Sequence, residues 1–148
     1  MEIVMEDYPF HIGVFLVMAV LVAMVFFCWQ VHQILRQLPR ENQRFPAWFV
    51  WFFLIPWVGL IFRWMMLPFS IPETLKKTFS ADQSAVRSAK VLFWIGLTQV
   101  AFATINLLFP NPIFNLITAA AWIILWILYW ILILRFKRIY LKVQKGAN

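Results

Sequence analysis

At 148 residues, 64% hydrophobic and 13% charged, with a mean hydropathy of +0.80, the chain carries more apolar surface than a soluble domain of its size can hide. The net charge of +7 would suit nucleic acid, but every Lys and Arg except Arg63 flanks an apolar run, so topology and anionic headgroups account for it better, and no nucleic-acid partner is expected. A single cysteine, Cys28, rules out an intramolecular disulfide and any CxxC redox or zinc pattern.

The first apolar run spans about residues 9–35. It is preceded by Glu2, Glu6 and Asp7 with no Lys or Arg, and no small-x-small cleavage site follows. The basic start of an export signal is therefore missing, and the run reads as a retained membrane helix. Gln30, His32 and Gln33 mark its exit from the hydrocarbon, and Pro39 blocks its continuation.

The second run, 46–68, opens on Pro46, which suits the first turn of a helix. Pro56 near its middle and Gly59 beyond it predict a kinked span packed among other helices, because a freed carbonyl in lipid needs cover. After Pro68, the tetrad Ser70-Ile71-Pro72-Glu73 reads as a capping box opening a short helix over 72–79. Leu75 and Phe79 would face lipid there and Lys76 and Lys77 headgroups, which describes a helix lying in the interface.

Ser80 with Gln83 offers a second capping box, so the third span is expected over 82–109. Phe109-Pro110-Asn111-Pro112 makes a tight turn into the fourth, 112–140, which continues as a basic helix to about Lys142. Each run approaches or exceeds the ~20 residues that cross a hydrocarbon core. The fold class is thus all-α: a single polytopic membrane domain, a bundle of four transmembrane helices with a Pro-kinked second helix and one interfacial helix.

Counting basic residues near the spans orients the bundle. With four crossings and both termini cytoplasmic, nine lie inside, namely Lys76, Lys77, Arg87, Lys90, Arg135, Lys137, Arg138, Lys142 and Lys145, against Arg36, Arg40 and Arg44 outside. An alternative places Pro56-Trp57-Val58-Gly59 at the tip of a re-entrant hairpin, with all 12 flanking basic residues inside and the acidic amino terminus outside. Four crossings are the expectation carried forward.

Arg63 is the one charge within an apolar run, and such groups mark functional sites unless they snorkel to the interface along their own stem. Gln99 and Asn106 lie seven residues apart on one face of the third span, where amides join helices or line a polar path. His32 sits near the end of the first span, with no Asp or Glu in any span to complete a proton relay. Trp122, Trp126 and Trp130 form a stripe on the last span, and Gly96 is a point of close helix approach. Together Arg63, Gln99, Asn106 and His32 are the candidate intramembrane polar site. Lys76, Lys77, Arg87, Lys90, Arg135, Lys137 and Arg138 form a rim for anionic lipid.

No HExxH, GxSxG or P-loop occurs, and no span pairs two carboxylates, so neither an enzyme nor a cofactor is expected. The segment Val50-Trp51-Phe52-Phe53-Leu54-Ile55-Pro56-Trp57-Val58-Gly59-Leu60-Ile61, continuing to Ser70 and Leu75, resembles small bacterial inner-membrane proteins whose second span runs V-W-L-x-x-I-P into a short amphipathic helix. Trp126 to Trp130, leading to Lys137 and Tyr140, is similar too. The resemblance covers about 50 residues, implies a four-helix protein of the bacterial inner membrane, and transfers no active site; the polar residue expected near Gly59 is missing. The expected function is a non-enzymatic accessory or interaction protein, homo-oligomeric or bound to another membrane protein, with membrane lipids as partners. The alternative is a small oligomeric transporter or channel.

Overall fold

The computed structural model describes residues 7–109 and 111–141, with side chains from residue 11 onward. Glu2, Glu6, Pro110, Lys142 and Lys145, and with them the end of the tail expected to continue as a basic helix, lie outside the described residues. The described residues are mostly helical, with short turns between the helices and no strand among them. Five α-helices follow in order: α1 (Asp7–Arg36), α2 (Val58–Trp64), α3 (Ile71–Thr78), α4 (Gln83–Leu108) and α5 (Pro112–Phe136). Three helical stretches are long and apolar enough to cross a membrane, His11–Arg36, Gln83–Leu108 and Pro112–Leu141. The protein is an all-α integral membrane protein.

The second apolar run departs from the single kinked helix expected of it. Ala47–Leu54 forms a 3-10 helix, the chain turns, and α2 runs back alongside it. Pro56 is the cause, since the residue before a proline is pushed out of the helical region, and Ile55 is extended at φ −85°, ψ 120°. Trp57 then takes φ 66°, ψ −59°, and the Val58 N–H donates to the Pro56 carbonyl at 2.7 Å. This is a γ-turn of the rare positive-φ kind, a strained conformation for a side-chain-bearing residue. The two limbs then meet: Phe62 stacks on Phe52 at 4.4 Å and meets Phe49 edge-on at 5.3 Å. A Cβ on Gly59 would lie 2.9 Å from the Phe52 and Phe53 carbonyl oxygens, so only glycine lets the limbs approach this closely.

Beyond α2 the helix continues without a break through a π-helical segment, Met65–Ser70, into α3. Pro68 lies inside it, and the wider turn accommodates a ring that would clash with an α-helical carbonyl. Ser70 is therefore mid-helix, at φ −74°, ψ −53°, and its hydroxyl caps nothing, contrary to the expected capping box. Leu75 is fully buried rather than lipid-facing, because α3 lays its apolar side on α4, while Lys76 and Lys77 remain exposed. The second expected box fails likewise: Asp82, not Ser80, caps α4, accepting from the Ser84 and Ala85 N–H groups. Asn111 does the same for α5, with Pro112 in the first turn.

α1 and α5 run parallel, with Phe27 ringed by Trp126, Tyr129 and Trp130 at 5.7 to 6.3 Å and Lys137 donating to Gln30. α4 runs antiparallel to both, since Ser84 bonds Tyr140 at one end and Asn106 accepts from Thr118 at the other. The amino end of α1 and the carboxyl end of α5 therefore lie at opposite ends of the bundle. That differs from two termini on one side, because the second run returns to the end it started from. The core sits in the half containing the hairpin, whereas residues 11–22 of α1 are all exposed.

Candidate functional site

Near the hairpin tip a carbonyl loses its normal donor to proline. In a 3-10 helix the Phe53 carbonyl should accept from residue 56, but Pro56 carries no N–H. Arg63 replaces it, its Nη2 donating to the Phe53 oxygen at 2.9 Å. The guanidinium also lies over the Trp122 ring, 5.7 Å from its centroid, within cation–π range.

These contacts turn the guanidinium toward the hairpin tip and α5 rather than toward the basic end of the bundle. It opens into a crevice of about 210 Å³ lined by Val20, Leu21 and Met24 of α1 and by the hairpin tip, including Pro56 and Trp57. Val20 to Met24 and Trp122 lie near the midpoints of α1 and α5, so the guanidinium sits near mid-depth. Of its five N–H donors, one is bonded to protein. The ion pairs among the described residues are Arg44–Glu73 and Lys77–Glu73, so no carboxylate answers Arg63 there.

The other expected polar residues do not gather around it. Gln99 is buried in α4, and its side-chain oxygen has no partner. Asn106 lies toward the opposite end and accepts from Thr118 at 3.0 Å. His32 stands in the last turns of α1, its ring 6.2 Å from Trp51, and lines a separate cavity. Thr104, by contrast, joins the hairpin to α4 by accepting from the Trp64 indole at 2.9 Å. Trp122 was legible only as part of a tryptophan stripe; its pairing with Arg63 needed the fold.

Arg36, Arg40, Arg44, Lys76, Lys77, Arg87, Lys90, Arg135, Lys137 and Arg138 all cluster at the end where the hairpin begins and ends. The rim read from sequence is thus joined by the arginines of the first loop. Among the described residues no group of three or more His, Cys, Asp or Glu is placed to hold a metal ion. Compared with known protein families, with curated proteins and with solved structures, the chain matches none.

Proposed function

We propose that the chain is a non-enzymatic membrane protein that docks a different membrane protein, with Arg63 answering a carboxylate on a partner helix. The observation that carries this is the guanidinium near mid-depth, bonded once to a carbonyl and open to the crevice at Val20 to Met24. Charge at such depth is costly and is normally paired. All six acidic residues, Glu2, Glu6, Asp7, Glu41, Glu73 and Asp82, fall outside the deep parts of the apolar runs. A second copy has no carboxylate to offer at that level, so this reading favours a partner of different sequence over a homo-oligomer. The uncovered residues 11–22 of α1 supply an apolar surface beside the charge.

The same reading gives three crossings and a re-entrant hairpin, with the basic end cytoplasmic and the amino end of α1 outside. What supports it is the collection of flanking basic residues at one end of the bundle, as positive-inside orientation requires. The resemblance around Pro56 and Trp126 supports the bacterial inner membrane. Transport has less support, because Asn106 is engaged by Thr118 and no described cavity collects Arg63 with Gln99 and Asn106.

A photo-crosslinking residue at Leu21 tests the docking reading in cells. The expected result is an adduct with one other membrane protein, kept in Arg63→Lys and lost in Arg63→Leu. Adducts with lipid or with a second copy alone would sink it, as would solute flux in liposomes abolished by Arg63→Leu.

A further inference from the structure

The first loop folds back on the end of α1 and bounds an open cleft of about 730 Å³, within the size range of small-ligand sites. Its lining includes His32 and Arg36 from α1, Arg40 and Arg44 from the loop, and Trp48 from the first limb of the hairpin. No Asp or Glu lines it.

The loop is held in place. The Gln43 side-chain amide donates to the Leu35 and Leu38 carbonyls at 2.6 and 3.0 Å, Asn42 donates to Thr78 at 3.3 Å, and Arg44 pairs with Glu73 at 3.1 Å. The Gln43 bonds matter electrostatically as well. Free carbonyls at the end of a helix repel an anion, and here two of them are covered. The Arg36 and Arg40 guanidinium groups remain as planar donor forks suited to phosphate oxygens, with Arg44 held beside them by Glu73.

We propose that this cavity binds the phosphate-bearing headgroup of an anionic membrane lipid. The choice of a lipid over a soluble phosphate follows from what lies beneath. Trp29, on the same face of α1 as His32 and Arg36, is 51% exposed, and Val25 and Val22 continue that uncovered apolar face toward the middle of the helix. Trp48, 52% exposed, flanks the cavity on the hairpin side, at the level where indoles favour the headgroup region. A lipid seated here has its phosphate among the arginines and its acyl chains along α1. The proposal rests on the membrane-embedded reading above but not on Arg63.

Native mass spectrometry of the detergent-solubilised protein, titrated with phosphatidylglycerol, phosphatidylcholine or inorganic phosphate, tests it. Phosphatidylglycerol is expected to bind at least about tenfold more tightly than phosphatidylcholine, and Arg36→Gln with Arg40→Gln to remove that preference. Lys76→Gln with Lys77→Gln, on the same basic end but outside the cavity, and Arg63→Leu are both expected to keep it. In the wild-type protein, phenylglyoxal modification of Arg36 and Arg40 should slow at least severalfold when phosphatidylglycerol is present, which reads the site without any variant. No headgroup preference, equal loss in the Lys76/Lys77 or Arg63 variants, or protection by inorganic phosphate as strong as by lipid would each overturn it.

Discussion

The Tyr129 hydroxyl donates to the Leu67 carbonyl at 3.0 Å, across 62 residues of sequence. In the π-helical segment the Ile71 N–H bonds the Met66 carbonyl, so Leu67 should be met by residue 72, and Pro72 has no N–H to give. α5 thus supplies by a side chain what the hairpin's own backbone lacks. Gly96 of α4 lies against the same carbonyl, where a Cβ would come within 2.8 Å of the oxygen.

Tyr129→Phe should therefore destabilise the bundle by roughly 1–2 kcal/mol, the range of a lost interhelical bond plus an unmet buried carbonyl. Gly96→Ala should do so by about 1–3 kcal/mol through overpacking against backbone that cannot swing aside. Because both act at Leu67, the double variant should lose less than the sum. Denaturant titration in mild detergent reads all three, and strict additivity would argue against a shared contact.

The strain at Trp57 predicts an unusual substitution. Trp57→Gly relieves a positive-φ conformation worth on the order of 1–3 kcal/mol, against roughly 0.5–1 kcal/mol for the added freedom of glycine when unfolded. The side chain is 74% exposed, so little protein packing is lost. The melting temperature in detergent should hold or rise in Trp57→Gly and should not rise in Trp57→Ala. A clear fall of similar size in both variants would mean the indole holds the turn, and a fall confined to the glycine variant would overturn the strain argument.

Topology can be read by labelling with a membrane-impermeant maleimide. The native Cys28 is fully buried and leaves a low background. Cysteines at Arg40, Ser80 and Arg138 should react from one side and a cysteine at Asn111 from the other. Opposite reactivity of positions 40 and 80 would mean that the second run crosses after all.

Glu73 links α3 to the first loop, and the Lys77 ammonium, followed by the Arg44 guanidinium, holds its carboxyl below the ordinary carboxylate range. A depressed folded-state pKa gives stability that is present above the unfolded value and lost as pH falls through the folded one. The contribution should be full at neutral pH and disappear on acidification below the usual carboxylate range, with a size of ~0.2–1 kcal/mol because the pair is solvent-exposed. Glu73→Gln should lower stability slightly at pH 7 and flatten that acid step, measured as melting temperature against pH.

What was legible in the sequence follows from range. The three helices long and apolar enough to cross a membrane are announced by uninterrupted apolar length, which hydropathy reads directly. Pro56 was ambiguous because a missing donor is compatible with a kink or a reversal, and the decision depended on Gly59 meeting Phe52 and Phe53 from the facing limb. Leu75 illustrates a limit of amphipathic pattern in membranes, since the apolar side of a basic helix can face lipid or its own bundle, and here α4 covers it. Ser80 and Asp82 both carry capping side chains two residues apart, and the structure chooses Asp82. The Arg63–Phe53 and Tyr129–Leu67 bonds were out of reach, because a proline states which hydrogen is missing but not which distant side chain will replace it.

A hairpin that turns near the midpoint of its neighbours adds two limbs to one half of the molecule and none to the other. In the re-entrant topology proposed above, three segments pass through one leaflet while five displace lipid from the other, which would give the protein the form of a wedge in the bilayer. Insertion of many copies would then enlarge the monolayer that holds the hairpin more than the opposite one, and the membrane would relax by curving so that the hairpin-bearing face is convex. Flat bilayers and those curved with the broad end on the convex side should therefore hold unequal shares of this protein.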